Sequence, residues 1–194
     1  GAGSEHYALH ATGYPLCFGV VPDDAIPQAI ALLRERRLDC GIYGAPYFIE
    51  GAYRAREAEL AYDLMITNQD ERSWYEMVRS GATATMEAWG PDQKWNTSWC
   101  HPAGATPIYL FINYTLGVQP AEPGWTRVRV DPQLPASLDW VTLTFPTVQG
   151  AIAIDYRKDK AHTITVPPGV AVDIAPTALK ALGFPLINGR DSTG

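Results

Sequence analysis

One carboxylate is set apart by its neighbours. In the run Gly81-Ala82-Thr83-Ala84-Thr85-Met86-Glu87-Ala88-Trp89, Glu87 is the only ionisable side chain among small and apolar residues. Such surroundings disfavour the charged form and raise a carboxyl pKa, which suits proton transfer near neutral pH. Trp89, two residues on, offers an aromatic ring of the kind on which proteins hold sugars. A bland alternative fits the same residues: a glutamate tied up by hydrogen bonds, or one exposed at a loop. The wider segment from Ser80 to Pro102 holds Gly81, Gly90, Pro91 and Pro102, and also Trp89, Trp95 and Trp99. A loop this long inside a compact domain is usually functional. Three tryptophans in one loop are costly to leave in water without a use.

Other residues offer weaker chemistry. His6 and His10 stand at i, i+4 and can share a metal on one helix face, but no third ligand lies nearby, so no metal is assigned. Tyr43, Tyr47 and Tyr53 can line a cleft, with two of the three expected in the core; Tyr43 is the one retained for the site. Trp74 divides evenly between core and sugar platform. Trp125 and Trp140 are expected to pack a β-domain against the helices rather than to bind carbohydrate. Cys17, Cys40 and Cys100 are odd in number and lack CxxC spacing, which argues against a disulfide framework and against a zinc ribbon. Cys17 and Cys40 read as buried small hydrophobes. Arg34 to Arg37 reads as a solvated helix face. Asn113-Tyr114-Thr115 fits a glycosylation pattern but falls in an apolar helix and is discounted.

The elements that must position these residues change character along the chain. His6 to Cys17 is apolar without strand alternation. Asp23-Asp24 signals a helix start, with Pro27 in the first turn, Ile26, Ile30 and Leu33 at helical spacing, and Gly41 as the stop. Ala45–Tyr53 and Glu57–Ile66 read as helices. Ser73–Arg79 is a shorter one, with Ser73 and Glu76 placed for a capping box. A last helix is predicted from about Ala105 to Leu116, with Gly117 as its stop. After Pro120 the pattern alternates: Trp125–Val130, Leu138–Phe145, Ala151–Tyr156, Thr163–Val166 and Val170–Ile174 read as short strands of an antiparallel sandwich. The expected organisation is α+β: a helical part over 1–118 with a site loop at 80–102, then a β-sandwich with a tail over 119–194.

Composition bounds the function. The 194 residues are 46% hydrophobic and 19% charged, with a formal net charge of −6. An acidic chain without a basic stripe argues against nucleic acid and against anionic membrane surfaces. No apolar run of about 18 residues suggests a membrane span. The first residues, Gly1-Ala2-Gly3-Ser4, show no signal-peptide pattern and no initiator Met, so a processed or partial chain is expected and its compartment is not legible. The predicted helices are mostly small and apolar and read as the inner wall of something larger.

Six ordered pieces complete the reading: Ser4-Glu5-His6-Tyr7-Ala8-Leu9-His10-Ala11; Ser73-Trp74-Tyr75-Glu76-Met77-Val78; Gly81-Ala82-Thr83 through Glu87-Ala88-Trp89; Ser98-Trp99-Cys100-His101-Pro102; Leu116-Gly117-Val118-Gln119-Pro120 with Pro123-Gly124-Trp125; and Val130-Asp131-Pro132. Together they resemble bacterial α-L-rhamnosidases of glycoside hydrolase family 78, from residue 4 to about 157. The resemblance implies the second half of an (α/α)6 barrel followed by a C-terminal β-sandwich. It implies hydrolysis of terminal α-L-rhamnose with inversion, which uses two carboxylates about 6.5–9.5 Å apart. By resemblance Glu87 is the general base, His101 lines the sugar site and Trp89 lies beside the base; Trp95, Trp99, Trp74 and Tyr43 are placed around the sugar with them, and no cofactor is expected. Met86 stands where the family usually has an aromatic, and Ala103 where it often has Trp; both positions are taken to line the site. The family's general acid lies in an acidic motif with an Arg-Glu pair. Here the Arg-Glu pairs are Arg34-Glu35 and Arg56-Glu57, read as ordinary helix-face pairs, so the acid is expected outside this chain. The implied partners are carbohydrate, and either a second copy or a missing N-terminal half.

Overall fold

In the computed structural model, residues 7–158, 160, 162–178, 186–188 and 190–191 are described. The chain divides into two compact units, Gly1–Leu110 and Phe111–Gly194.

The first unit is helical: α1 (Leu9–Cys17), α2 (Ile26–Arg36), α3 (Ala45–Arg54), α4 (Ala58–Ile66), α5 (Trp74–Arg79) and the single turn α6 (Pro107–Leu110). Its centre is α3, which packs against both α1 and α4. Ala45, Phe48, Ile49, Ala52 and Tyr53 are all fully buried. Their spacing of i, i+3, i+4, i+7 and i+8 is that of one helix stripe. Burying each of the larger side chains contributes about 1.5–3 kcal/mol. Of the three tyrosines weighed for a cleft, only Tyr53 is core; Tyr43 and Tyr47 are exposed.

Polar contacts shape the helix ends. Asp23 and Asp24 form a 3-10 turn, Asp23–Ala25, that leads into α2. Arg37 ends that helix at φ 53°, and its guanidinium pairs with Asp63 at 2.7 Å and Asp70 at 2.8 Å. The arginine run is therefore not uniformly solvated. Arg56 also has positive φ, so the Arg56-Glu57 pair lies in the α3–α4 connection rather than on a helix face, and Glu57 pairs with Arg34 at 2.8 Å. At α5 the Ser73 hydroxyl accepts from the Glu76 N–H at 3.2 Å. The Glu76 carboxylate turns instead to Arg79, at 2.7 and 2.9 Å, so an ion pair replaces the second arm of the expected capping box.

The helix expected from Ala105 to Leu116 is broken. A 3-10 turn at Pro102–Ala105, the short α6 and a π-turn at Phe111–Thr115 follow one another. Pro102 and Pro107 each lack the N–H that a continuous helix needs, and each begins a new turn. Gly117 then ends the helical run at φ 67°. A Cβ there would lie 2.2 Å from Asp131 C and Pro132 N, so the left-handed conformation and the close approach both demand glycine.

The second unit holds β1 (Val118–Pro120), β2 (Arg127–Val130), β3 (Trp140–Thr147), β4 (Gly150–Arg157), β5 (Thr163–Thr165), β6 (Ala171–Ile174), β7 (Leu186–Ile187) and β8 (Arg190–Asp191). They form a three-stranded sheet, β1-β2-β6, and a five-stranded sheet, β3-β4-β5-β7-β8. Val118, Val128 and Val130 of the first sheet share one core with Ile152, Ile154 and Ile164 of the second. The sandwich is not purely antiparallel: β2 with β6 and β5 with β7 run parallel. Each parallel pair joins strands separated by a long stretch of chain, as parallel connections require. Trp125 packs its edge on Phe145 at 5.7 Å between ring centroids. Trp140 departs from expectation: it is 61% exposed, with the Arg157 guanidinium 5.3 Å from its ring centroid.

Cys17 and Cys40 are buried free thiols, pushed by burial to about 11 and about 12, while Cys100 is exposed. No helix among the described residues is long and apolar enough to cross a membrane.

A candidate active site around Glu87

The loop from 80 to 102 is held in shape by pairing with itself. The Glu87 N–H donates to Ser98 O at 2.9 Å, and the His101 N–H to Thr85 O at 2.7 Å. The Thr85 hydroxyl donates to His101 O at 3.0 Å. This pairing brings Glu87 and His101 side by side although they are 14 positions apart in sequence. Gly104 closes the floor: a Cβ there would meet Thr85 Cβ at 2.7 Å and Met86 O at 2.9 Å.

Beneath the loop, Met86 and Trp89 are both fully buried. Trp89 donates its indole N–H to Cys40 O at 2.7 Å and meets Trp74 edge-on at 4.9 Å. Trp74, half-buried, donates its own N–H to Gly104 O at 2.7 Å. Two expectations are corrected here. Trp89 offers no face to a ligand and instead anchors the loop to the core, and Met86 lies under the site rather than lining it. Both side chains point into the helical core, where Trp89 bonds Cys40 O and packs on Trp74, while Glu87 between them stays half-buried at the surface.

Glu87 is half-buried, with 16% of its side chain exposed. Its Oε2 accepts from the Ser98 N–H at 3.1 Å. Its Oε1 accepts from the Lys94 ammonium and, at 3.4 Å, from the Tyr43 hydroxyl. The Tyr43 oxygen is also 3.3 Å from His101 Nε2, and the two rings meet at 75°. His101 Nδ1 accepts the Ala103 N–H at 3.1 Å. In a neutral ring that leaves the proton on Nε2, which donates to Tyr43, and Tyr43 in turn donates to Glu87. A directed chain thus runs from His101 through Tyr43 to the carboxylate.

The charge state of Glu87 differs from the one expected. The Lys94 ammonium, first, and then the Ser98 N–H hold its carboxyl below the usual carboxylate range, outweighing desolvation. Groups from further along the loop, not the apolar residues beside it in sequence, set its charge state. Lys94 was missed by reading outward from Glu87, although it is the only Lys or Arg between Ser80 and Pro102. Trp95 is 94% exposed and Trp99 46%. Both belong to the same loop, Trp95 next to Lys94 and Trp99 next to Ser98. His10 packs on Phe48 at 5.4 Å, and His6 lies outside the described residues. Among the described residues, no group of three or more His, Cys, Asp or Glu is placed to hold a metal.

Both units match known domain families. Residues 3–115 match the family described as bacterial alpha-L-rhamnosidase 6 hairpin glycosidase domain, and residues 117–179 match the bacterial alpha-L-rhamnosidase C-terminal domain. An alpha-L-rhamnosidase of Alteromonas sp. (strain LOR) is 27% identical over 179 residues, which are 84% of this chain and 19% of that protein. Among solved structures, alpha-L-rhamnosidase from Dictyoglumus thermophilum superposes with a TM-score of 0.75 at 22% identity, covering 87% of this chain and 20% of that one. The Streptomyces avermitilis alpha-L-rhamnosidase complexed with L-rhamnose gives 0.73 at 20% identity, over 86% of this chain and 18% of that one. These two likenesses are of fold, and the chain spans about a fifth of the length of each relative. With more than half of its residues matched by the first domain and the β-unit by the second, the chain belongs to the bacterial alpha-L-rhamnosidase 6 hairpin glycosidase family.

Proposed function

We propose that this chain carries the general-base side of an inverting glycosidase site that acts on terminal α-L-rhamnosides, with Glu87 as the base. The observation that supports it is the way the Glu87 carboxylate is held. A carboxylate offers about four lone-pair positions. The Ser98 N–H, Lys94 and Tyr43 take three, which leaves one for a water. An ionised carboxylate so oriented can take a proton from that water as its oxygen bonds to the anomeric carbon. The glycosidic C–O bond breaks on the opposite face, and the leaving oxygen is protonated by a second carboxylic acid about 6.5–9.5 Å away. That acid is assigned to a part of the enzyme outside this sequence. Tyr43 and His101 border the base. Trp95 and Trp99, exposed on the same loop, are assigned to the sugar.

The helical unit is further proposed to associate with another polypeptide surface, a second copy or the remaining barrel helices. Exposed Tyr7, Phe18, Ile66 and Val78 support this.

The test uses the product of the open reading frame that encodes this sequence and an aryl α-L-rhamnoside. Turnover is expected, with β-L-rhamnose as the first sugar anomer seen by proton NMR. The exposed Trp95 favours one other reading, a carbohydrate-binding module without catalysis. Binding without turnover would select that reading and reject the enzyme.

A further inference from the structure

Lys94 has no role in the reaction as written above, yet it makes the most direct contact with the base. Its side chain is 39% exposed and reaches back across the loop to Glu87 Oε1. The opposite oxygen, Oε2, is fixed by the Ser98 N–H at 3.1 Å. A carboxylate clamped at both oxygens cannot rotate about its last torsion. The other groups that face it are Tyr43, at 3.4 Å, and His101, one hydrogen bond further away. Tyr43 offers a hydroxyl donor, and His101 adds a smaller electrostatic pull in the same direction, behind Lys94 and the Ser98 N–H. Lys94 is therefore the ammonium that balances the carboxylate.

We infer that Lys94 is a positioning residue for Glu87: paired with the Ser98 N–H, it presents the base as a carboxylate in one orientation. The inference rests on Glu87 being the base, but it makes a claim about Glu87 that needs no turnover to test. A cation in contact favours the ionised form of a carboxyl. Removing it must move the titration of Glu87 upward, and with it the acid limb of activity. The sign follows from the role: a general base works only when ionised, so a higher pKa shortens the active range on the acid side and leaves the alkaline side alone.

The experiment titrates the full chain labelled with 13C at the glutamate carboxyls, with the Glu87 signal assigned by its loss in Glu87→Gln. In the wild type Glu87 is expected to titrate below the usual carboxylate range. Lys94→Met is expected to raise that midpoint and to shift the acid limb of kcat/KM to higher pH. Lys94→Arg is expected to restore both. A midpoint that stays put in Lys94→Met overturns the inference and leaves the base assignment intact. Turnover that survives in Glu87→Gln removes the base assignment instead. Should Lys94→Met fail to fold, the wild type answers alone. The Lys94 side chain is 39% exposed and that of Glu87 16%, so salt screens the pair in part, with a Debye length of about 3 Å at 1 M. The Glu87 midpoint must then rise with ionic strength, and a salt-independent midpoint overturns the inference.

Discussion

Glu87→Gln is expected to lower kcat on an aryl α-L-rhamnoside by roughly 10²–10⁴-fold, the usual contribution of a positioned acid or base. The amide is nearly the size of the carboxylate. Its oxygen can still accept the Ser98 N–H that now binds Oε2 at 3.1 Å, so the loop keeps its shape. Its NH2 group has no proton-accepting lone pair and meets Lys94 donor to donor. The change therefore removes the base while sparing the scaffold, and KM and thermal stability are expected to move little. Glu87→Asp keeps the charge but withdraws it by one methylene from Tyr43 and Lys94, so its loss is expected to be smaller. Steady-state kinetics on the three proteins checks the order: wild type, then Asp, then Gln. Activity of Glu87→Gln within a few-fold of wild type would mean that the proton goes elsewhere.

Trp89→Ala is expected to cost about 3–5 kcal/mol of stability, the range for truncating a buried aromatic. The side chain is wholly buried, its ring meets Trp74 edge-on, and its N–H satisfies Cys40 O. The lost donor adds a further penalty of about 1–3 kcal/mol if no water replaces it. A denaturant midpoint measures the effect. Trp99→Ala, at a residue 46% exposed, is expected to change stability by no more than about 0.5 kcal/mol while weakening sugar binding. The pair separates two kinds of tryptophan that look alike in sequence: one holds the loop, the other faces outward. If Trp89→Ala folds like the wild type and only KM rises, the core placement of Trp89 is wrong.

Much of the fold was legible because periodicity reports burial. The helix read over Ala45–Tyr53 is α3, and the strands read over Leu138–Phe145 and Ala151–Tyr156 overlap β3 and β4. Where one element depended on a partner, the sequence was silent. Nothing local told Glu76 to choose Arg79 over its own helix end. The parallel pairing of β2 with β6 depends on residues more than 40 positions apart. The broken helix at Pro107 was signalled by the proline itself and was overlooked because its flanks are apolar.

The site divides the same way. The ordered motifs singled out Glu87 and His101, Tyr43 came only from the three tyrosines weighed for a cleft, and these three do meet in space. Their electrostatics were misjudged, because Met86 and Trp89 turn into the core while Lys94 and the Ser98 N–H arrive from further along the loop. A pKa follows from the neighbours in space, and here one hairpin-like pairing of 85–87 with 98–101 replaces the neighbours the sequence displays.

The most direct test of Glu87 as an inverting base replaces its function rather than its side chain. Glu87→Ala leaves room beside Ser98 and Lys94, and azide is a nucleophile that needs no base to remove a proton. With an activated aryl α-L-rhamnoside, azide should restore turnover to the variant and yield β-L-rhamnosyl azide, identified by NMR. A folded Glu87→Ala protein that azide does not rescue, or one that gives the α-azide, would contradict the assignment of Glu87 as the base of an inverting reaction.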